Sequence, residues 1–170
     1  MLNRRSSLKW AVQVASAGLL AGCGFKLRGS QSYRFQTLAI TGAEGDINRE
    51  LRQSFGSDVR LLAPDEPVDK AQLVLNIAQV QREKVVVGVN ASGQVREFQL
   101  RIRLKFSLRT PQGRELLPET EILQQRDITY NETAALAKET EEALLYKNMQ
   151  TDIVQQLLRR LSTVTYATSP

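Results

Sequence analysis

The side chains that most enzymes use for catalysis are scarce in this sequence. Among its 170 residues there is no histidine and one cysteine, Cys23. Without histidine the chain cannot form a Ser-His-Asp or Cys-His catalytic site or an imidazole-bound metal site. One cysteine excludes an intramolecular disulfide, an iron–sulfur cluster and a cysteine-rich zinc site. The remaining candidates, Glu139, Glu141 and Glu142, are typical of a solvated helix face, so we predict no enzyme, no metal and no cofactor.

The chemistry that Cys23 can undergo depends on the residues before it. Arg4, Arg5 and Lys9 precede a short apolar run at residues 10–21, which is too short for a permanent transmembrane helix. The residues Leu-Ala-Gly before Cys23 resemble the bacterial lipobox. We therefore predict that residues 1–22 are a removed signal peptide and that Cys23 carries a covalent lipid. An ordinary signal peptide is the alternative.

Two further features of the leader bear on localisation. Gly24, rather than aspartate, follows the cysteine, which favours an outer-membrane lipoprotein address. The pair Arg4-Arg5 leaves both general secretion and twin-arginine export open. After removal of the leader, the formal net charge falls from +5 to about +2, because the leader holds three basic residues and no acid. An exported chain is not expected to bind nucleic acid.

Alternating and helical periodicities predict the elements of the mature chain. A short strand is expected at residues 35–40, a brief one at 59–62, and alternating runs at 73–77, 85–89, 98–109 and 119–129. Asp46 is expected to cap a short helix that ends at Gly56, and Asn131 to cap a long final helix. The apolar face of the long helix comprises Tyr146, Met149, Ile153, Leu157, Leu161 and Val164, extended upstream by Leu136, Ala143 and Leu144.

The order of these elements predicts an α+β fold. We expect a two-layer sandwich, with a mainly antiparallel four-stranded sheet and two helices packed on one face. The expected boundaries are a signal peptide at 1–22, an acylated cysteine and tether at 23–34, a single domain at 35–165 and a tail at 166–170. The apolar row from Phe98 to Leu108 is expected to face the helices.

A row of cations lies on the other face of the same predicted strand, at Arg101, Arg103, Lys105 and Arg109. Side chains two residues apart on a strand are spaced about 6.7 Å apart, and guanidinium groups pair well with phosphate or carboxylate. The row therefore indicates either a site for a polyanion or a solvated face. In the second case its charges are neutralised by neighbouring acids such as Glu83, Glu119 or Glu121.

Four short motifs resemble the LPS-assembly lipoprotein family LptE: CGFKLRG at residues 23–29, GQ and EFQL within 93–100, ALAKE at 135–139 and QQLLRRL at 155–161. The resemblance implies a two-layer lipoprotein that plugs the lumen of the LptD β-barrel and assists insertion of lipopolysaccharide (LPS) into the outer leaflet. It also implies LPS binding through basic residues, here Lys138. The family's cationic hairpin tip is uncharged here at Asn90–Ser92, and Arg96 is the nearest substitute.

These expectations define the proposed partners and location. The partners are LPS, an LptD-type barrel and the membrane that holds the lipid anchor. The location is the outer membrane, on the periplasmic and barrel-lumen side. The alternative is a generic lipid-anchored periplasmic binding or scaffold protein for an anionic ligand. The sequence leaves open whether the cation row at 101–109 contacts LPS or the barrel.

Overall fold

A five-stranded sheet forms one layer of the domain in the computed structural model, which describes residues 32–165. The strands are β1 (Thr37–Gly42), β2 (Arg60–Leu61), β3 (Leu73–Val89), β4 (Val95–Arg109) and β5 (Glu115–Thr129). Their order in the sheet is β2-β1-β3-β4-β5. The α+β class is confirmed, but the four-stranded sheet is wrong, because the two-residue β2 pairs in parallel with β1 and adds a fifth strand. Cys23 and the predicted signal peptide and tail lie outside the described residues.

The sheet is part parallel and part antiparallel. β1 runs parallel to β3, while β3, β4 and β5 form an antiparallel meander of long strands. The close approach of β1 to β3 requires a glycine at the end of β1. Gly42 has φ +94°, and a Cβ atom there would lie 2.2 Å from the carbonyl oxygen of Ile77. A larger residue at position 42 would therefore clash with the β3 backbone as well as strain its own.

Two helices cover one face of the sheet. They are α1 (Asp46–Ser54) and α2 (Ala135–Thr163), and a short 3-10 helix at Glu132–Ala134 leads into α2. Asn131, the predicted cap of α2, caps this 3-10 turn instead: its side chain accepts a hydrogen bond from the backbone N–H of Thr133 at 3.1 Å, whereas Ala134 precedes α2 without a side-chain cap. Asp46 is not the cap of α1 but its first helical residue, and Gly45 precedes it. Its carboxylate still lies at the positive end of the helix dipole.

The core lies between the sheet and the two helices. The alternating β4 residues Leu100, Ile102, Leu104, Phe106 and Leu108 are all fully buried there, as predicted. They form one cluster with α1 and with the α2 residues Met149, Ile153, Leu157 and Leu161. Burial of each large apolar side chain contributes about 1.5–3 kcal/mol. Tyr33, inside the predicted tether, also packs on this cluster, with its ring centroid 5.2 Å from that of Phe55.

The predicted upstream extension of the apolar helix face is wrong. Leu136 and Leu144 in the first half of α2 are 79% and 58% exposed. At 1.5 Å per residue α2 is about 44 Å long, and its first turn lies beside the end of β5. Lys138 of α2 contacts Thr129 at the end of β5. The buried stripe of α2 therefore starts at Met149.

The valines in the second half of β3, within the predicted run at 85–89, are also outside the core. A register shift between Ile77 and Gln79 switches the face to which alternate residues point. Before the shift, Leu73, Leu75 and Ile77 are fully buried. After it, Val85 lies opposite Gln99, on the face away from the helices. Val86, Val87 and Val89 are exposed on the hairpin between β3 and β4, so the predicted run at 85–89 is a strand, but these valines do not add to the core.

Candidate functional site

The predicted cation row lies on the face of the sheet opposite the helices, and two of its members are paired with acids. Arg103 Nη1 donates to both carboxylate oxygens of Glu121 at 3.2 Å. Arg101 Nη1 lies 4.0 Å from Glu83, and its Nε donates to Gln99 at 2.7 Å. Glu83 lies on β3 and Glu121 on β5, so each acid comes from a strand flanking β4. This part of the row matches the solvated-face alternative.

The other two cations of the row have no such pairing. Within residues 32–165, neither Lys105 nor Arg109 has a carboxylate within 4.0 Å. Lys105 lies opposite Gln79 on one side and Glu121 on the other, but Glu121 is already engaged by Arg103. Arg109 is exposed at the end of β4. The row therefore divides into a neutralised half and a half whose charge is available to a partner.

Lys138 occupies a partly buried position in the first turn of α2. Its Nζ lies 2.8 Å from Glu141 Oε2 and 3.3 Å from Thr129 Oγ1, and its side chain is 22% exposed. A cation near a helix N-terminus is unfavourable on electrostatic grounds, and Glu141 offsets this cost. Glu141 and Glu142 each pair with a lysine, Lys138 and Lys84 respectively, so they do not form the free carboxylate pair that acid–base catalysis needs.

A small cavity adjoins Lys138 where β3, β4 and β5 meet the start of α2. Its volume is about 140 Å³. Lys84 Nζ lies 4.3 Å from the ring centroid of Phe98 and 2.6 Å from Glu142. Tyr130 packs edge-on against Phe98, with ring centroids 5.3 Å apart. Sequence patterns did not identify Lys84, Phe98 or Tyr130 as site residues, although Lys84 lies in the polar segment between the predicted runs at 73–77 and 85–89.

Cations and exposed apolar side chains meet at this end of the domain. We call residues 84–98 and 128–138 the hairpin end. Arg96 is exposed there, and its backbone carbonyl accepts a hydrogen bond from Tyr130 at 2.8 Å. The exposed apolar residues of the hairpin end are Val86, Val87, Val89 and Leu136. The structure thus places Arg96 and Lys138 at one end, and the cation row of β4 on a separate face.

A larger polar cleft of about 990 Å³ lies between α1, α2 and β3. Gln150 at its base is only 8% exposed. Its amide accepts from Arg82 Nη2 at 2.7 Å, and its Nε2 lies 2.7 Å from Glu50 Oε2, which accepts the bond. Nearby, the Tyr146 hydroxyl donates to the backbone oxygen of Glu83 at 2.7 Å, and burial, with the Glu142 carboxylate, raises the pKa of Tyr146. Residues from three separate elements line this cleft. Sequence patterns do not reveal that these residues lie close together.

The helices within residues 32–165 lack the combination of length and hydrophobicity that a membrane-spanning helix requires.

Comparison with curated proteins identifies relatives along most of the chain. The LPS-assembly lipoprotein LptE of Pectobacterium atrosepticum is 28% identical over 151 residues, covering 86% of this chain and 80% of the relative. The protein of the same name from Yersinia enterocolitica is 31% identical over 150 residues, covering 85% and 70%. These relatives support a lipoprotein involved in LPS assembly and outer-membrane biogenesis.

Solved structures agree with the fold. A solution structure of lipoprotein B from Nitrosomonas europaea is 34% identical, with a TM-score of 0.69 over 82% of this chain and 90% of that one. Rare lipoprotein B from Shewanella oneidensis shares the fold, with a TM-score of 0.62 over 75% and 95% at 22% identity. A model of the family described as "LptE: Lipopolysaccharide-assembly" matches residues 31–161. This non-enzymatic family was the one indicated by the motifs, and the chain belongs to it.

Proposed function

We propose that this chain is an outer-membrane lipoprotein that occupies the lumen of an LptD-type β-barrel and assists insertion of LPS into the outer leaflet. Membership of the LptE family is the observation that carries this proposal. The lipid on Cys23 holds the domain on the membrane, and two or more acyl chains are enough for stable anchoring. The domain itself acts by binding and shape.

The hairpin end supports binding of an amphiphilic anion. LPS presents phosphate groups beside acyl chains, so a complementary surface needs cations close to exposed apolar side chains. Arg96 and Lys138 supply the charge, and Val86, Val87 and Leu136 supply apolar surface at the same end. Lys138 is held near Thr129 and Glu141, which limits the side-chain freedom that it loses when it binds a phosphate.

The remaining surface supports a position inside a barrel. Barrel lumens are polar, so a protein that fills one must present polar groups on several sides. The outer sheet face carries charges that are partly paired within the sheet, such as Arg103 with Glu121. The helix layer presents the polar cleft at Gln150. Lys105 and Arg109 are then available to acidic groups of the barrel or to LPS phosphates.

Binding of purified LPS by the mature chain tests the ligand part of the proposal. Substitution of both Arg96→Gln and Lys138→Gln is expected to weaken binding about 10- to 100-fold. Loss of one charge-assisted hydrogen bond to phosphate costs about 1.5–3 kcal/mol, and Arg96 and Lys138 need not both make one. The matched control is Arg49→Gln with Lys147→Gln, which removes two exposed cations outside the hairpin end. Equal weakening by both double variants would contradict a specific site.

Co-purification from outer membranes tests the partner part. A tagged mature chain, extracted in mild detergent, is expected to recover a large β-barrel protein, identified by mass spectrometry. Recovery of the chain alone with an anionic ligand would instead support the generic lipid-anchored binding protein. Recovery from the soluble periplasmic fraction would contradict the lipid anchor itself.

A further inference from the structure

Three arginines lie at the end of the domain opposite the hairpin end, and none has an acidic partner among the described residues. They are Arg34, Arg159 and Arg160, and we call this group the arginine end. Arg34 Nη1 donates to Thr165 Oγ1 at 3.4 Å. Arg159 and Arg160 lie beside an open cavity of about 390 Å³, which Gln156 and Thr163 also line. By contrast, Arg60, Arg101 and Arg103 each lie within 4.0 Å of a carboxylate.

The topology brings these arginines together although they are far apart in sequence. Arg34 precedes β1 by three residues and contacts Thr165, which follows the end of α2 by two. Arg160 lies above Phe106, 6.0 Å from its ring centroid, near the end of β4. The start of β3 pairs with the end of β4, since Val74 lies opposite Arg109. The arginine end is therefore where β1 and β3 begin and where β4 and α2 end.

The dipole of α2 accounts for only part of this arrangement. Cations in the last turn of a helix are stabilised by its negative end, which favours Arg160 at its position. Arg34 is not part of that helix, and its contact with Thr165 holds a third guanidinium group near the helix end. All three residues are exposed. Their donors are therefore available to an anion approaching from outside the domain.

The length of chain between Cys23 and the domain limits where this end can be. Nine peptide units separate Cys23 from Ser32, the first described residue. Fully extended, they span about 32 Å at most. If Cys23 is acylated, the start of the domain stays within that distance of the bilayer surface in any conformation of the linker. Arg34 lies only two residues after Ser32. The chain therefore enters the domain from the lipid anchor at the arginine end.

We propose that the arginine end docks on the anionic phospholipid headgroups of the leaflet that holds the lipid anchor. This inference rests on the proposed acylation of Cys23. Guanidinium groups bind phosphate oxygens in pairs, and each basic residue close to an anionic membrane strengthens attachment about fivefold. Docking restrains the tilt of the domain relative to the bilayer, which a linker attached at one point does not. The arginine end and the hairpin end then serve different anions at opposite ends of the domain.

The contribution of the arginine end to membrane binding can be measured with a reversibly attached form of the protein. A single acyl chain anchors a protein only marginally, so small changes in headgroup contact become visible. The mature chain is alkylated at Cys23, its only cysteine, with one saturated chain of myristoyl length. Its partition onto vesicles of phosphatidylcholine is compared with that onto vesicles containing one-third phosphatidylglycerol, by sedimentation at low and high salt. We expect stronger partition onto the anionic vesicles at low salt, and a smaller difference at high salt.

The triple variant Arg34→Gln, Arg159→Gln, Arg160→Gln is expected to reduce partition onto anionic vesicles on the order of 100-fold. The matched control is Arg49→Gln, Arg126→Gln, Lys147→Gln, which changes the net charge equally at exposed positions elsewhere and changes no residue of the hairpin end. It is expected to reduce partition less than tenfold. Circular dichroism checks that both variants fold.

Three results would overturn the inference. The first is that the unsubstituted chain partitions equally onto neutral and anionic vesicles. The second is that the triple variant and the control lose vesicle binding equally, and the third is that the triple variant loses LPS binding while its vesicle binding is unchanged. Failure of the proposed function is measured separately, because it concerns LPS binding at the hairpin end and recovery of a barrel. Vesicle docking by a chain that binds neither would leave the inference standing and remove the proposed function.

Discussion

Substitution of Gln150 tests which contacts hold the helix layer on the sheet. It is almost fully buried, and its amide bridges Arg82 of β3 and Glu50 of α1 at 2.7 Å each. Gln150→Leu keeps the approximate volume and removes both hydrogen bonds. A hydrogen bond to a charged group contributes about 1.5–3 kcal/mol. Because Arg82 is 43% exposed and also lies 3.6 Å from Asp46, water and Asp46 replace part of the loss.

The expected magnitude follows from these contacts. Two bonds at the lower limit give about 3 kcal/mol, and the added apolar burial of leucine returns about 1 kcal/mol. The free energy of unfolding is therefore expected to fall by about 2 kcal/mol. For a domain of this size, this lowers the melting temperature by about 6 °C. Urea denaturation and calorimetry measure the two quantities.

A control on the same helix isolates the bridge. Gln156 of α2 is half-buried, and Gln156→Leu is expected to change the unfolding free energy by less than about 0.5 kcal/mol. A double-mutant cycle of Gln150→Leu with Glu50→Ala should give a coupling of about 1 kcal/mol or more. Equal stabilities of Gln150→Leu and Gln156→Leu, or a coupling near zero, would refute the reasoning that this bridge stabilises the helix layer.

Four further outcomes are expected. Leu104→Ala should lower the unfolding free energy by about 3–5 kcal/mol in urea denaturation, and Leu104→Asp should prevent folding by burying an unpaired charge; an unchanged melting temperature would mean that the faces of β4 are reversed. Cys23→Ala should abolish acylation, as read by acyl-group labelling and the intact mass. Reversal of Lys105 and Arg109, the two available cations of the row, to Glu should weaken LPS or barrel binding more at low than at high salt, whereas unchanged affinity would leave the row as a solvated face. Burial and the nearby Asp58 raise the pKa of Tyr33 from 10.0 to about 12, so its contribution to stability is complete below pH 10 and is lost as the pH rises towards 12; Tyr33→Phe should reduce that loss in denaturation curves, and identical pH profiles would contradict it.

The parts of the fold that depend on local periodicity were predictable from the sequence. The alternation from Phe98 to Leu108 identified β4 and its buried face, because a strand's two faces are fixed by its own pleat. The spacing of Met149, Ile153 and Leu157 identified the buried half of α2 in the same way. These residues needed no information about their partners.

Features that depend on distant pairing were not predictable in this way. β2 has only two residues, and its position follows from pairing with β1. The register shift after Ile77 depends on how β3 meets β4 and β1. Leu136 has the right spacing for the apolar face of α2, but burial also requires sheet surface beneath it. Spacing alone cannot show where that surface ends.

The candidate sites also contain features that local patterns predict and features that depend on distant pairing. The sequence identified the cations of β4 and suggested Glu83, Glu119 and Glu121 as neutralising acids. Strand register decided that Glu83 and Glu121 take that role for Arg101 and Arg103. The cavity beside Lys138 requires Lys84, Phe98 and Tyr130 from three parts of the chain. The location of Arg34 near Arg159 and Arg160 likewise appears only once both ends of the domain are folded together.

The position of β5 at one side of the sheet has a consequence for self-association. Among residues 32–165 this fifteen-residue strand pairs only with β4, so its other side offers backbone N–H and C=O groups to another extended chain. Pro118 lacks the N–H for such pairing, and Glu119, Glu121 and Asp127 would lie near like charges if two copies of β5 met in antiparallel register. Molecules crowded together on a membrane surface are thereby discouraged from polymerising through their sheets. Glu121, which neutralises Arg103 within one domain, thus also helps to keep neighbouring domains apart.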